Sequence, residues 1–452
     1  MTSDLRPNLI VVIADDHRAD ASRCYGDPQV RTPEIDRLAA RGARFTTARC
    51  QAGMSAAICA PSRACLLTGR ELFAATRSVD PLDGVGTCDI ADDAPTLPEL
   101  LSAAGYWTYA VGKWHNGRAS HARSFDGGDA LFFGRITDQW ALPMWRFDPT
   151  GRYEERDAEV RRGFSTEIFT DAATKFLRDY EGDDPYFLYV AFTAPHDPRT
   201  PPKEYADLYD PDSLELTPDV MPRHPFDNGE LEIRDELLAP WPRTPEIIRR
   251  HLADYYGMIS HMDACIGEIV AAADQRGDPR PTYVVYTSDH GLALGRHGLL
   301  GKQNCYEHSL RIPLVMVGPA VEAGSVRHEL VNHQDTFATL AALAGIEPPP
   351  GARRSSLLGP GPHGHECSYA AYKDVQRMVC DERYKLIDYH RSEARGVGEE
   401  RRQLFDLEQD PFELHNLAGS DELADVEARL ERQLRELQVR LGDPLAARSV
   451  TS

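Results

Sequence analysis

The chain is poor in the features that would tie it to a membrane or to a nucleic acid. Lysine and arginine number 50 against 71 aspartates and glutamates, so the formal net charge is −21 over 452 residues. This excess of negative charge disfavours nucleic acids and anionic membrane surfaces as partners. No hydrophobic run approaches the roughly 20 residues that a transmembrane helix needs. We therefore expect no nucleic-acid partner and no membrane partner.

Cysteine is scarce as well, and the nine cysteines lack the spacing of a small disulfide framework. Residues 1–7 are too short and too polar to be a secretory signal peptide. These two features favour a cytoplasmic location. Because the acidic surface would repel an anionic substrate at long range, any anion-binding site must be a local basic pocket.

The length of the chain predicts a large domain followed by a smaller one. Prolines and glycines concentrate in residues 348–362, as in a linker, which suggests domains at 1–360 and 361–452. In the second domain, short strands are expected at 368–372 and 384–389. A turn at 404–411 and an amphipathic helix at 422–441 complete this α+β subdomain.

Apolar strand patterns alternate with helical patterns in the first domain, which indicates an α/β fold around a mostly parallel sheet flanked by helices. Continuously apolar runs of this kind are typical of parallel strands that are buried on both faces. The predicted strands are 8–14, 106–111, 186–192 and 282–287. The predicted helices are 32–42, 96–105, 165–180, 245–275 and 335–344.

Charged or imidazole side chains follow each of the four strands directly. In open α/β sheets, ligands bind outside the carboxyl ends of the strands, so these side chains are expected at one edge. This convergence predicts a reaction site independently of any motif. The residues are Asp15, Asp16, Lys113, His115, His196, Asp289 and His290.

Asp15, Asp16, Asp289 and His290 form a candidate site for one divalent metal ion. Three carboxylates at a buried edge are costly unless a cation or protons neutralise them. Helix capping or salt bridging is the alternative for each aspartate alone. Hard oxygen ligands favour Ca²⁺ or Mg²⁺, with Ca²⁺ preferred, whereas the imidazole of His290 leaves Mn²⁺ open.

Residues 59–70 read Cys-Ala-Pro-Ser-Arg-Ala-Cys-Leu-Leu-Thr-Gly-Arg. This stretch resembles the signature of the type I sulfatases in the alkaline phosphatase superfamily, in which the first cysteine becomes formylglycine after synthesis. The resemblance implies that a formylglycine-generating enzyme acts on Cys59 during maturation. It also implies a small antiparallel C-terminal subdomain. The alternative is that Cys59 is a buried structural cysteine, since free cysteine packs as a small hydrophobe.

An aldehyde suits this chemistry because its hydrate carries two hydroxyls on one carbon. One hydroxyl can attack sulfur and form a covalent sulfate ester. Deprotonation of the other lets the carbon return to the aldehyde and expel sulfate. Pro61 suits the first turn of a helix, so we expect a helix over 61–68 whose N-terminus faces the anion.

The resemblance also implies roles for other residues. Gly-Lys-Trp-His, which contains Lys113 and His115, is similar to a sulfatase motif in which the lysine holds a sulfate oxygen and the histidine takes the proton of the second hydroxyl. Arg63 would stabilise the aldehyde hydrate, and His196 and Lys302 would support the departing alcohol oxygen. Solvated or satisfied side chains are the alternative for single residues such as Lys302. The implied metal ligands are Asp15, Asp16, Cys59, Asp289 and His290.

Weaker signals surround this set. His297 borders the pocket or makes a structural hydrogen bond, and Glu307 and Arg311 are expected to form a structural pair. Residues 132–153 combine aromatic rings with arginines, which can stack on sugars and bind anions, although packing of a covering loop explains any one of them. The members are Trp140, Trp145, Phe147, Tyr153, Arg135, Arg146 and Arg152.

The leading hypothesis is therefore a sulfuric ester hydrolase that uses formylglycine and a divalent metal. The expected substrate is a small sulfated sugar, because a cytoplasmic enzyme meets imported fragments more readily than polymers. Two alternatives remain: a phosphonate monoester or phosphodiester hydrolase of the same superfamily, and a noncatalytic metal or anion binder with unmodified Cys59. The oligomeric state is not specified by any motif.

Overall fold

The computed structural model of the chain describes residues 5–78, 88–134, 138–359 and 363–446. The strands are β1 (Asn8–Ala14), β2 (Ala43–Phe45), β3 (Ala48–Arg49), β4 (Ala52–Gly53), β5 (Thr76–Ser78), β6 (Cys88–Ile90), β7 (Trp107–Lys113), β8 (Gly127–Phe132), β9 (Ala141–Met144), β10 (Glu159–Arg162), β11 (Tyr186–Ala191), β12 (Thr282–Ser288), β13 (Leu314–Val317), β14 (Ser325–Arg327), β15 (Val331–Asn332), β16 (Ser368–Tyr372), β17 (Gln376–Cys380), β18 (Tyr384–Tyr389) and β19 (Arg401–Asp406).

The helices alternate with these strands along most of the chain. They are α1 (Pro33–Arg41), α2 (Cys59–Thr68), α3 (Leu72–Ala75), α4 (Leu97–Ala103), α5 (Arg118–Ser124), α6 (Ser165–Asp179), α7 (Lys203–Ala206), α8 (Pro245–Gln275), α9 (Glu307–Leu310), α10 (His333–Leu343) and α11 (Ala424–Leu441). None of the helices in the described part of the chain is long and apolar enough to cross a membrane.

An eight-stranded sheet lies at the centre of the described residues. Its strand order is β14-β2-β13-β12-β1-β11-β7-β8. The four central predicted strands run parallel, and β13 is antiparallel to both of its neighbours. The expected mostly parallel sheet flanked by helices is therefore confirmed.

The continuous apolar run of β1 is explained by its position between two cores. Leu9, Val11 and Ile13 belong to the core shared with α2, α4 and α10. Ile10 and Val12 belong to the opposite core, which is shared with α1, α6 and α8. Because both faces of the strand are covered, no polar residue alternates with the apolar ones.

Most element boundaries fall within two residues of the sequence-based prediction. The helix of the cysteine motif begins at Cys59 rather than at Pro61, so Cys59 is its first residue and the proline still lies in the first turn. The predicted turn at 404–411 is wrong at its start, because residues up to Asp406 pair with β18 as strand β19. The turn follows only after that strand.

The C-terminal residues form a five-stranded sheet in the order β19-β18-β17-β16-β4. The first four strands pair antiparallel, as expected, and α11 packs on β17 and β18. The last strand, β4, comes from the first predicted domain and pairs parallel with β16. The predicted boundary at 360 and 361 lies outside the described residues. The small sheet thus includes a strand that immediately precedes the cysteine motif.

Candidate active site

Four parallel strands deliver the candidate residues to one edge of the central sheet. Asp15 and Asp16 follow β1, and Asp289 and His290 follow β12, which is hydrogen-bonded to β1 along its whole length. Lys113 ends β7, and His196 follows β11. All six side chains are almost completely buried. The structure therefore brings together the groups that the strand ends predicted.

Cys59 lies at the centre of this cluster, at the first residue of α2. Its Sγ is 3.1 Å from Nε2 of His290, 3.5 Å from Oδ1 of Asp15 and 3.6 Å from Nζ of Lys302. Burial, reinforced by the negative charge of Asp15, raises the pKa of the Cys59 thiol well above its usual value. The neighbouring ammonium of Lys302 does not offset this effect, so a thiol in this position is protonated near pH 7.

The predicted metal ligands satisfy the geometric requirement for a shared cation. Ligand atoms of Asp15, Cys59, Asp289 and His290 all lie within 4.8 Å of one another. Nδ1 of His290 is 3.0 Å from the carbonyl of Gly291, which leaves Nε2 directed at the cluster. The two carboxylates, the thiol and the imidazole of this group form a donor set that fits a divalent ion, and Asp16 shares a second such group with Asp15, Cys59 and His196.

Asp16 provides a further observation for this site. Its Oδ2 is buried and has no hydrogen-bond partner among the described residues. The residue also adopts a φ of 70°, which is unusual for a side chain other than glycine. An unpartnered carboxylate oxygen in the interior is costly, so a positive ligand is the expected partner.

Arg63 connects the ends of strands β12 and β7 from one turn along α2. Its Nε donates to Oδ2 of Asp289 at 3.0 Å, and its Nη1 donates to the carbonyl of Lys113 at 2.8 Å. The ammonium of Lys113 forms an ion pair with Asp15. Both cations are fully buried, so they create the local basic pocket that the acidic chain requires.

His115 is half-buried beside the cluster and adopts a φ of 66°. Its Nδ1 is buried without a hydrogen-bond partner among the described residues. Burial, helped by the positive charge of Lys113, holds the pKa of His115 well below its usual value. The imidazole is therefore neutral near pH 7 and can accept a proton.

His196 and Lys302 approach the cluster from the side of Asp16. Nζ of Lys302 is 2.7 Å from Oδ1 of Asp16, and Nε2 of His196 is 3.9 Å from Oδ2 of the same residue. Burial alone would lower the pKa of Lys302, but the negative charge of Asp16 and its neighbours holds that pKa well above its usual value. Lys302 is therefore a permanent cation at this edge.

Sequence reasoning missed a charged group at the outer side of His196. Arg234 forms ion pairs with Asp197 and with Oδ1 of Asp235, the latter at 3.2 Å. Asp235 in turn accepts a hydrogen bond of 2.8 Å from Nε2 of Gln303. These residues link the neighbours of His196 and Lys302. They lie in irregular segments without a periodic pattern, so the sequence offered no signal for them.

Two of the weaker candidates are structural. The ring of His297 stacks on Tyr306 with centroids 4.0 Å apart, and its Nε2 is 3.0 Å from the carbonyl of Phe412. The predicted ion pair between Glu307 and Arg311 is wrong. Glu307 instead pairs with Arg49 and Lys385. The carboxylate is satisfied by two other buried cations.

The aromatic segment at 132–153 is largely occupied by packing. Trp145 and Tyr153 are buried, and the Tyr153 hydroxyl is 2.8 Å from Nδ1 of His121. Trp140 is 40% exposed and donates to the carbonyl of Thr200. Arg135 lies outside the described residues. The segment therefore mainly covers the core, which is the alternative that the sequence analysis left open.

Comparison with known proteins places this geometry in a family. The chain matches the family model Sulfatase over residues 7–346, and the model for the C-terminal region of N-sulphoglucosamine sulphohydrolase over residues 295–440. Fold and site thus define a member of the alkaline phosphatase superfamily. The chain belongs to the sulfatase family and is a sulfuric ester hydrolase.

Similar proteins cover nearly the whole chain. An N-acetylglucosamine-6-O-sulfatase of Bacteroides thetaiotaomicron is 27% identical over 97% of this chain and 87% of its own length. A choline-sulfatase of Rhizobium meliloti is 29% identical over 91% of this chain and 82% of its own length.

Solved structures show the same fold. One, a complex with its substrate D-glucosamine-2-N,6-O-disulfate, has a TM-score of 0.79 at 24% identity and covers 97% of this chain and 99% of its own. A phosphonate monoester hydrolase of Agrobacterium radiobacter has a TM-score of 0.72 at 20% identity, with 96% of both chains covered. At such identities the likeness concerns the fold alone. The phosphonate hydrolase alternative is therefore not favoured over sulfate ester hydrolysis.

Proposed function

We propose that this enzyme hydrolyses the sulfate ester of a small sulfated sugar at residue 59, after conversion of Cys59 to formylglycine. The observation that carries the proposal is the position of Cys59. Its Sγ lies within 3.6 Å of His290, Asp15 and Lys302, where four strand ends meet the first turn of α2. A structural cysteine would be surrounded by apolar side chains, as Cys65 is.

Conversion of Cys59 fits the electrostatics of the site. The reactive form of cysteine is the thiolate, and burial beside Asp15 disfavours it. A formylglycine-generating enzyme acting during maturation would replace the thiol by an aldehyde. One hydroxyl of the aldehyde hydrate would be the nucleophile, and deprotonation of the other would restore the aldehyde and release sulfate. This exchange avoids the cost of ionising a buried thiol.

A divalent cation fits between Asp15, Asp16, Asp289, His290 and residue 59. The unpartnered oxygen of Asp16 and the spacing of the ligand atoms support this site. The predominance of carboxylate oxygens favours Ca²⁺ over Mg²⁺ and Mn²⁺. When bound, the ion would supply positive charge for the oxygens of the sulfate group.

The side chains around residue 59 divide into two groups in this proposal. Arg63 and Lys113 are both fully buried, and their positive charges stabilise residue 59 and the sulfate oxygens. Neutral His115 accepts a proton. His196 and Lys302 lie on the side of Asp16 and support the oxygen of the departing alcohol, by donating a hydrogen bond and positive charge.

The names of the relatives support a sugar as the alcohol component of the sulfate ester. One relative is an N-acetylglucosamine-6-O-sulfatase, and one structural neighbour binds a disulfated glucosamine. The buried aromatic rings of residues 132–153 add no support, because their faces are engaged in packing. The sugar assignment therefore depends on the relatives, and choline sulfate and aryl sulfates are the competing substrates.

The test has two stages. The mass of the peptide that contains Cys59 should show formylglycine, and enzyme with confirmed conversion should then be assayed on sulfated monosaccharides, oligosaccharides, choline sulfate, aryl sulfates and phosphonate monoesters. The highest kcat/KM is expected for a sulfated mono- or small oligosaccharide. Best turnover of phosphonates would overturn the sulfatase function. Turnover of aryl or alkyl sulfates only would overturn the sugar assignment alone.

A further inference from the structure

One cavity of the described part of the molecule is not lined by Cys59 or by the predicted metal ligands. It has a volume of about 300 Å³ and lies between the loop after β1, the segment around Thr217, and residues of α8 and α9. Its lining combines apolar side chains with three guanidinium groups and an imidazole, and with the four carboxylates of Asp20, Asp27, Glu215 and Glu307. The apolar residues are Leu216, Val220, Ile248, Leu252 and Leu294, and the basic residues are Arg18, Arg296, Arg311 and His308.

Arg311 is the cation in this cavity that has no partner. Its guanidinium makes neither an ion pair nor a hydrogen bond with any residue that the structure describes. Arg18 and Arg296, by contrast, share the carboxylate of Asp20, at 3.0 Å and 2.6 Å. Glu307, which also lines the cavity, is engaged with other cations. The charge of Arg311 helps to hold the pKa of Asp20 and of Glu307 below its usual value, but neither carboxylate accepts a hydrogen bond from it. The N–H donors of Arg311 are therefore left for a ligand.

His308 provides a second unpartnered group. The residue is only 3% exposed, and its Nε2 is buried without a hydrogen-bond partner in the described part of the chain. Burial, together with the charges of His297 and Arg296, holds the pKa of His308 well below its usual value. The imidazole is therefore neutral and can offer an N–H to an acceptor. Burying such a group without a partner is costly.

A cation is the less suitable occupant here. Asp219, His297 and His308 have potential ligand atoms within 4.8 Å of one another. However, Nε of Arg296 is 3.6 Å from Oδ2 of Asp219, so a divalent ion would lie beside a guanidinium. The guanidinium of Arg296 already balances that carboxylate, and its positive charge would repel a divalent ion bound to the same group. The free donors of Arg311 and His308 require an acceptor instead.

We propose that this cavity is a second anion-binding site. Arg311 and His308 would bind a tetrahedral oxyanion such as sulfate, either free or carried by a small molecule. A guanidinium can donate two parallel hydrogen bonds to such a group. The cavity exceeds the size of a bare sulfate ion, and its apolar side chains can contact the rest of the small molecule. Asp27 and exposed Glu215 also line the cavity and disfavour a second negative group. A singly sulfated sugar or free sulfate therefore suits the site better than a polyanion.

Crystals of the Cys59→Ala variant soaked with selenate provide the direct test. At the concentration that fills the candidate active site at residue 59, the anomalous signal of selenium should also appear between Arg311 and His308. The Thr217→Trp change fills the cavity with a ring, so this signal should disappear while the signal at residue 59 stays. A selenium signal at residue 59 alone, in crystals that retain Thr217, would overturn the proposal.

Titration calorimetry in solution supplies the second measurement and separates the two sources of the oxyanion. Selenate represents the free ion, and glucose 6-sulfate represents a sugar-borne sulfate. With Cys59→Ala, two molecules per chain of one or both probes should bind. Adding Arg311→Gln should weaken the second event by about tenfold or more, because a charged hydrogen bond is lost. Exposed Arg250→Gln is the matched control and should change nothing. A stoichiometry of one for both probes would contradict the second site.

Discussion

Cys59 and Cys65 are both buried in α2, but their surroundings differ in kind. Cys65 belongs to the apolar core, whereas the Sγ of Cys59 contacts an imidazole, a carboxylate and an ammonium. We therefore expect Cys59 to be the converted cysteine of this pair. The Cys59→Ala enzyme should remain folded and lose activity by at least about 10⁴-fold, as when a nucleophile is removed.

Cys65→Ala is the matched control for that experiment. It removes a buried sulfur from the same helix, so it should cost only a little stability and leave kcat and the formylglycine content of residue 59 unchanged. Circular dichroism, peptide mass and kcat check the three expectations. Turnover by Cys59→Ala comparable with the wild type would refute the proposed chemistry.

The pH dependence should reflect His115. Burial and the charge of Lys113 hold the pKa of His115 well below the usual value of 6.5. The imidazole of His115 is therefore neutral at pH 6.5 and above. The acid limb of kcat/KM should therefore lie below pH 6.5. Replacing the neighbouring charge by Lys113→Met should raise the pKa of His115. The acid limb of the residual activity should then shift to higher pH. An acid limb that does not move would exclude His115 as the titrating base.

His196 and Lys302 should matter most for esters whose alcohol is a poor leaving group. Replacing either by alanine should lower kcat/KM for sugar sulfates by about 10²–10⁴-fold, since a general acid contributes that much. Activated aryl sulfates need little protonation, so their loss should be much smaller. His415→Ala is a suitable control because that side chain is 76% exposed. Equal losses on both substrate types would contradict the leaving-group role.

At the scale of elements, the sequence predicted the central strands well and the peripheral ones poorly. The run at Asn8–Ala14 is apolar because both faces of this strand are covered. Its sequence pattern alone therefore predicted a central position in the sheet. β2 and β14 have three residues each, and β4 has two, which is too short for any period to be recognised. The direction of β13 depends on tertiary packing and left no pattern in Leu314–Val317. The short elements therefore came from the structure alone.

The residues of the candidate active site also divide into those that the sequence predicted and those that only the structure revealed. The groups at strand ends could be predicted, because parallel strands bring their carboxyl ends to one edge. Arg234 and Asp235 could not, since they lie between elements and the partners that connect them to the site, Asp197 and Gln303, are distant in sequence. The pairing of Glu307 with Arg49 and Lys385 likewise required the approach of the C-terminal sheet. Side chains fixed by long-range packing give no local signal.

Gly112 determines how β7 delivers Lys113 and His115 to the site. It adopts a φ of +89°, and an added Cβ would lie 2.0 Å from the carbonyl oxygen of Ala191 in the neighbouring strand. Gly277 has a comparable φ of +65° with open space around it. Gly277→Ala should therefore cost about 1–3 kcal/mol of unfolding free energy from backbone strain alone. Gly112→Ala should cost clearly more and reduce activity, because strands β7 and β11 must separate. Chemical denaturation of both variants checks this, and equal costs would contradict it.

At the scale of the whole molecule, the two predicted domains share both a sheet and a buried ion network. Strand β4 precedes the cysteine motif and completes the C-terminal sheet. Lys385 from that sheet is fully buried and pairs with Glu307 and Glu413, and Glu307 also binds Arg49. We therefore propose that residues 361–452 unfold together with the catalytic part, although a linker separates them in sequence.

Replacement of Lys385 tests this coupling. Lys385→Met leaves the carboxylates of Glu307 and Glu413 without their shared cation, and breaking a buried pair in this way costs about 3–5 kcal/mol. Lys203→Met removes an exposed lysine paired with Asp207, so its cost should stay below about 1 kcal/mol. If the small sheet and the site form one cooperative unit, sulfatase activity and far-ultraviolet circular dichroism should be lost at the same denaturant concentration in Lys385→Met. Because the site residues themselves are unchanged, kcat per folded molecule should equal that of the wild type. Two separate transitions, with activity retained after the first, would show instead that the C-terminal sheet unfolds independently of residue 59.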